Sequence, residues 1–152
     1  MVPQFKPTAA LVIISGMCLG GESGFLIGAM SMFVSNLFFG QGPWTPWQML
    51  AMGLLGLLAG VIFKKSKPDS SILPLCIFGV VSVFVVYGGI MNSASVLMYQ
   101  AQPSLPMFAA SIAAGLSFDA IHAASTLIFL LVAANPIRKK IERIKKKYGL
   151  LL

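Results

Sequence analysis

A length of 152 residues would suit one water-soluble domain, but 57% hydrophobic residues and only four acidic ones leave too little polar surface to cover it. A mean hydropathy of +0.88 places the chain among membrane proteins instead. The net charge of +7 is concentrated in Lys64, Lys65 and Lys67 and in Arg138 to Lys147, with Lys6 apart; each cluster directly follows an apolar run, as positive-inside flanks do, which argues against a nucleic-acid surface.

The first apolar run, Thr8 to Gly20, is roughly 20 Å long, short of the roughly 30 Å of a bilayer core. It spans only if tilted, extended through its flanks or lodged among other helices. A polar turn at Gly21-Glu22-Ser23 separates it from Gly24 to Phe39, and Trp47 to Phe63 and Ile72 to Gly89 follow. The last region, Leu105 to Ala134, carries a polar interruption at Ser117 to His122. No run alternates with period two, so helices are predicted and strands are not. Gly24 with Gly28, Gly53 with Gly56, and Gly56 with Gly60 recur at helical spacing, which predicts backbones in close approach. Cys18 and Cys76 lie inside apolar runs without CxxC spacing and read as packing thiols.

The basic clusters set the topology. The C-terminal tail and the Lys64 to Lys67 loop are expected in the cytoplasm, Glu22 at an internal turn, and Lys6 and both tryptophans outside. Asn92 to Pro106 is expected as an external block, with Ser104 to Gly115 a short helix or re-entrant piece before the final span. The reading is an all-α polytopic bundle with five spans, its first residue outside. Since no leading helix delivers that end outward, a preceding span is expected to be missing, by truncation or a misassigned start.

Gly40 to Pro46 reads as an ordered external loop, with Pro43 and Pro46 interrupting helix, Gly40 and Gly42 permitting tight turns, and Thr45 a cap for a helix near Trp47. Trp44 and Trp47 either anchor the loop at headgroup level or, with Gln41 and Gln48, rim an aromatic pocket for a flat or bulky ligand. Substitution of Trp44 by alanine is expected to weaken ligand binding without altering insertion. Asp119 and His122, three residues apart, share a helix face, and a buried carboxylate needs a partner that His122 can supply. Asn36 and Asn92 add amides, and with Lys6 they line one external cavity or hydrogen-bond helix ends. Two polar residues are a thin shell for a metal, and neither HExxH, GxSxG nor a Walker A sequence occurs. The chain is therefore read as no enzyme, with no cofactor and no metal; solute movement against a gradient would need a partner or an ion gradient.

The segments "FKPTAALVIISGMCLG", "GFLIGAMSMFVSNLFFGQGPWTPWQMLAMGLLGLLAG" and "SFDAIHAASTLIFLL" resemble bacterial energy-coupling factor (ECF) transporter substrate-binding (S) components, including members associated with cobalamin uptake. The resemblance implies a six-helix vitamin receptor lacking its first helix, joined to a transmembrane coupling subunit and two cytoplasmic ATPases. It implies that Phe5, Lys6, Asn36, Gln41, Trp44, Trp47, Asn92 and Asp119, with His122 on the same face, lie at or near the ligand cavity. The small-residue faces around Gly24 and Gly28 would slide against the coupling subunit. Residues 1–134 then form the transmembrane substrate-binding domain and 135–152 a basic cytoplasmic tail, in a multi-pass protein of the bacterial inner or plasma membrane. A structural subunit of a membrane complex and a self-sufficient secondary transporter are the alternatives.

Overall fold

The computed structural model describes residues 5–63 and 71–149, and every regular element among them is helical. The Lys64 to Lys67 loop lies outside the described residues. Helix α1 is Thr8–Leu19, α2 Gly21–Phe39 and α3 Thr45–Ile62. A fourth rod joins α4 (Leu73–Ser82), a π-helical segment (Val83–Gly88) and α5 (Gly89–Tyr99), and α6 is Leu105–Lys147. Four helices are long and apolar enough to cross a membrane: Gly21–Phe39, Thr45–Ile62, Leu73–Tyr99 and Leu105–Lys147. The chain is an all-α, multi-span bundle, with four such helices and the shorter α1 among the described residues.

Helix α1 takes the lodged option. Ala9, Ala10, Val12, Ile13 and Ile14 are almost wholly buried, and the helix packs against α2, α3, α4 and α6. Its lack of length is offset by protein neighbours on most of its surface, with Leu11 and Leu19 left exposed. The reversal into α2 needs only Gly20, whose φ of 101° is open to a residue without a Cβ. The expected polar turn at Gly21 to Ser23 is therefore the first turn of α2, with Glu22 near the positive end of the helix dipole.

The α2–α3 contact rests on the glycine spacing. A Cβ on Gly24 would overlap the Gly56 carbonyl, and one on Gly28 would overlap Met52 backbone. Both glycines are buried between the helices of the bundle.

Two boundaries depart from the expected ones. The fourth rod continues to Tyr99, which puts Asn92 inside a helix rather than in an external block. Ser104 to Gly115 is not a separate piece, because α6 is continuous for 43 residues with Pro106 in its first turn. The physical reason is common to both. Ser95 and Ser111 lie with their hydroxyls 2.8 Å apart, and Ser111 Oγ donates to the Asn92 carbonyl at 2.8 Å, so polar side chains that look like breaks bond across the α5–α6 contact.

Helix α6 runs without a break across residue 134, so the expected domain boundary falls within it. Ser125 Oγ donates to the Lys6 carbonyl ahead of α1, and Lys145 Nζ donates to the Cys18 carbonyl at the end of α1. These two contacts make α1 and α6 run in the same sense, and the second gives a C-terminal carbonyl of α1 a cationic donor. Glu142 pairs with Lys146 at 3.3 Å, one helical turn apart.

Candidate functional site

The residues singled out from the sequence fall into two groups. The first closes the tryptophan loop. Asn36, near the end of α2, donates both amide hydrogens, to Thr45 Oγ1 at 3.0 Å and to Gln48 Oε1 at 2.8 Å. Thr45 Oγ1 also accepts from the Gly42 N–H at 3.3 Å. Thr45 is thus the buried first residue of α3 and a clasp for the loop, where a helix cap was expected. Pro46 is accommodated in that first turn, where its missing N–H has no partner to lose. The Trp44 indole folds over Gly42, at a distance that leaves no room for a Cβ there, and Gln41 donates to the Phe33 carbonyl at 3.5 Å. Trp44 and Trp47 are both half-buried.

The second group lies along α6. Asp119 is 9% exposed and His122 only 1%. They share the buried face that their spacing predicts, but they are not each other's partner. Asn92 Nδ2 donates to Asp119 Oδ2 at 2.9 Å, whereas both ring nitrogens of His122 lack a hydrogen-bond partner among the described residues. The Asp119 carboxylate reaches α5 because it rests against Gly88, where a side chain would occupy its place. Tyr87 meets the His122 ring edge-on, with centroids 4.7 Å apart. Farther along α6, Ser125 holds the Lys6 carbonyl at 2.9 Å and Phe129 lies 5.8 Å from Phe5, centroid to centroid.

Asn92, Asp119, His122, Lys6 and Phe5 are thereby gathered on one helix face, and Asn36, Gln41, Trp44 and Trp47 at the α2–α3 turn. Sequence reasoning passed over Tyr87, Ser95 and Ser111 as site neighbours. A signal was present: Gly88 precedes Asn92, and Gly115 precedes Asp119, by one helical turn each. Chemically, the α6 group offers an acceptor in Asp119, an unpaired imidazole able to donate and accept, and aromatic edges from Tyr87 and Phe5. Among the described residues no three His, Cys, Asp or Glu side chains come together as a metal site would require.

Residues 2–135 match the family described as ECF-type riboflavin transporter, S component. Among curated proteins, a UPF0397 protein of Vibrio atlanticus is 28% identical over 92 residues, covering 59% of this chain and 50% of the relative. A UPF0397 protein of Aliivibrio fischeri is 29% identical over 87 residues, covering 56% and 47%. One of Aliivibrio salmonicida is 34% identical over 56 residues, covering 37% and 30%. The chain spans about half the length of the first two of these relatives. No solved structure matches it. The chain belongs to the ECF-type riboflavin transporter S-component family. The expected kinship with cobalamin-associated members is corrected by that match, which is to the riboflavin type.

Proposed function

We propose that this S component captures a flavin of the riboflavin class at the outer membrane surface and delivers it inward. A transmembrane coupling subunit and two cytoplasmic ATPases supply the energy. The family supports the substrate class, and one observation supports the α6 group as its site: His122 is 1% exposed, yet neither ring nitrogen is satisfied by a described residue. A buried polar atom without a partner costs about 1–3 kcal/mol, a burden that a ligand's polar edge would remove. The isoalloxazine ring system has such an edge, alternating carbonyl oxygens with an N–H, on a flat face suited to aromatic neighbours. On this reading Asp119 accepts from the ligand's N–H, His122 bonds a carbonyl or ring nitrogen, and Phe5, Lys6 and Asn92 flank them.

The tryptophan loop forms the outer rim, with Asn36 holding it shut, so that Gln41, Trp44 and Trp47 meet the ligand after it enters. The basic tail beyond residue 134 is the cytoplasmic end, in keeping with its seven basic residues from Arg138 to Lys147. A purely structural subunit would account for the self-contained bonds of Asn36 and Asn92, but it leaves His122 without a purpose.

Titration of riboflavin into the purified chain in nanodiscs, followed by quenching of flavin fluorescence and by calorimetry, tests the proposal. Saturable one-to-one quenching supports it. Neither quenching nor heat, in samples shown to be folded, would move the protein to the structural alternative.

A further inference from the structure

The glycines divide by what stands opposite them. At Gly24, Gly28 and Gly56 an added Cβ meets backbone of a neighbouring helix, so these positions set the distance between helices. At Gly88 and Gly115 the nearest atoms belong to the ends of polar side chains: the Asp119 carboxylate at Gly88 and the Asn92 amide at Gly115. The arrangement is reciprocal. Each helix offers a glycine and, one turn later, a polar side chain that lies in the other helix's glycine notch. Gly88 with Asn92 serves this purpose on the fourth rod, and Gly115 with Asp119 on α6. The two polar groups then meet at 2.9 Å.

The π-helical segment closes at Gly88, with Tyr87 and Gly88 both buried, and so turns the notch and the Tyr87 ring toward α6 together. Wide turns of this kind are common where a helix must aim side chains at a site.

We infer that Gly88 and Gly115 are positioning residues for ligand recognition, acting through Asp119 and Asn92; this rests on the flavin-receptor reading above. A methyl group at either position leaves the helix backbones where they are and displaces the polar end group instead. Position 89 supplies the internal control, since a Cβ on Gly89 meets nothing within 4 Å.

The test compares riboflavin affinity and unliganded melting temperature for wild type, G88A, G115A and G89A in nanodiscs. G88A and G115A are expected to bind about tenfold more weakly or worse, as loss of well-placed hydrogen bonds requires, while G89A binds as wild type does. G89A should melt as wild type does, and G88A and G115A lower by no more than loss of the Asn92–Asp119 bond costs, as judged against Asn92→Ala. Wild-type affinity in G88A and G115A would overturn the inference and leave the receptor reading standing; absence of binding by folded wild type would overturn that reading and the inference with it. Should G88A melt well below wild type, the same methyl is placed in a D119A background, where the carboxylate no longer occupies the notch. Recovery of the melting temperature relative to D119A alone would tie the loss to the seated carboxylate, and a loss that persists would overturn the inference.

Discussion

Asn92 on α5 holds the Asp119 carboxylate of α6 at 2.9 Å, across a contact in which each side chain lies on a glycine of the opposite helix. Removal of the donor is therefore predicted to be worse than neutralisation of the acceptor. Asn92→Ala leaves a nearly buried carboxylate without its amide, and a loss of about 1–3 kcal/mol is expected. Asp119→Asn keeps a hydrogen-bonding group of the same shape and should cost less. Thermal or denaturant unfolding in detergent ranks the two variants; a ranking in the other order would show that the bond contributes little to the α5–α6 contact.

The imidazole of His122 separates stability from recognition. His122→Phe retains an aromatic ring beside Tyr87 and removes two polar atoms that no described residue satisfies. Unfolding stability is expected to hold or rise by up to about 1 kcal/mol. Riboflavin affinity is expected to fall at least about tenfold, since the ligand loses a buried polar partner. Unchanged affinity would place the ligand elsewhere.

Much of the architecture was legible before the structure, for identifiable reasons. Apolar runs without period-two alternation marked the helices, and the Gly24, Gly28 and Gly56 spacings marked a close backbone approach, which α2 and α3 make. Whether those glycines faced a partner or the protein's own interior could not be read from spacing, because both surfaces favour small residues. The continuity of α6 was hidden for a related reason. Ser111, Gly115 and Ser117 look like a break along one chain, and only the position of Ser95, Asn92 and Gly88 on another helix shows that Ser111 and Gly115 belong to a contact. The i, i+3 spacing of Asp119 and His122 correctly implied a shared face. It could not show that the carboxylate would bond Asn92, since that choice depends on the space left by Gly88.

The α2–α3 glycines carry a stability prediction of their own. Because an alanine methyl at Gly24 or Gly28 would overlap backbone, the helices themselves must move apart. Each substitution is expected to destabilise by about 1–3 kcal/mol, as overpacking of a tight contact does. G89A, with open space at its Cβ, should remain within about 0.5 kcal/mol of wild type. Equal melting temperatures for G24A, G28A and G89A would contradict the close approach.

The clasp at the tryptophan loop gives the last prediction. Asn36→Ala removes both bonds that tie α2 to Thr45 and Gln48, and among the described residues it leaves the buried Thr45 hydroxyl with the longer bond from the Gly42 N–H. A loss of about 1–2 kcal/mol is expected, concentrated at the loop. Faster hydrogen exchange from Gly40 to Gln48 should report it, with α1 and α4 unchanged. Trp44→Ala acts differently, because its indole rests on Gly42 while the clasp runs through Asn36, Thr45 and Gln48, so the loop should keep its clasp while the rim loses its aromatic surface. Its riboflavin affinity is expected to fall by roughly the 1–3 kcal/mol associated with aromatic stacking against a flat base-like ring. If Asn36→Ala weakens riboflavin binding and Trp44→Ala does not, the loop contributes by its shape alone. If both leave affinity intact, the tryptophans anchor the bundle at the membrane surface and the ligand is held by the α6 group.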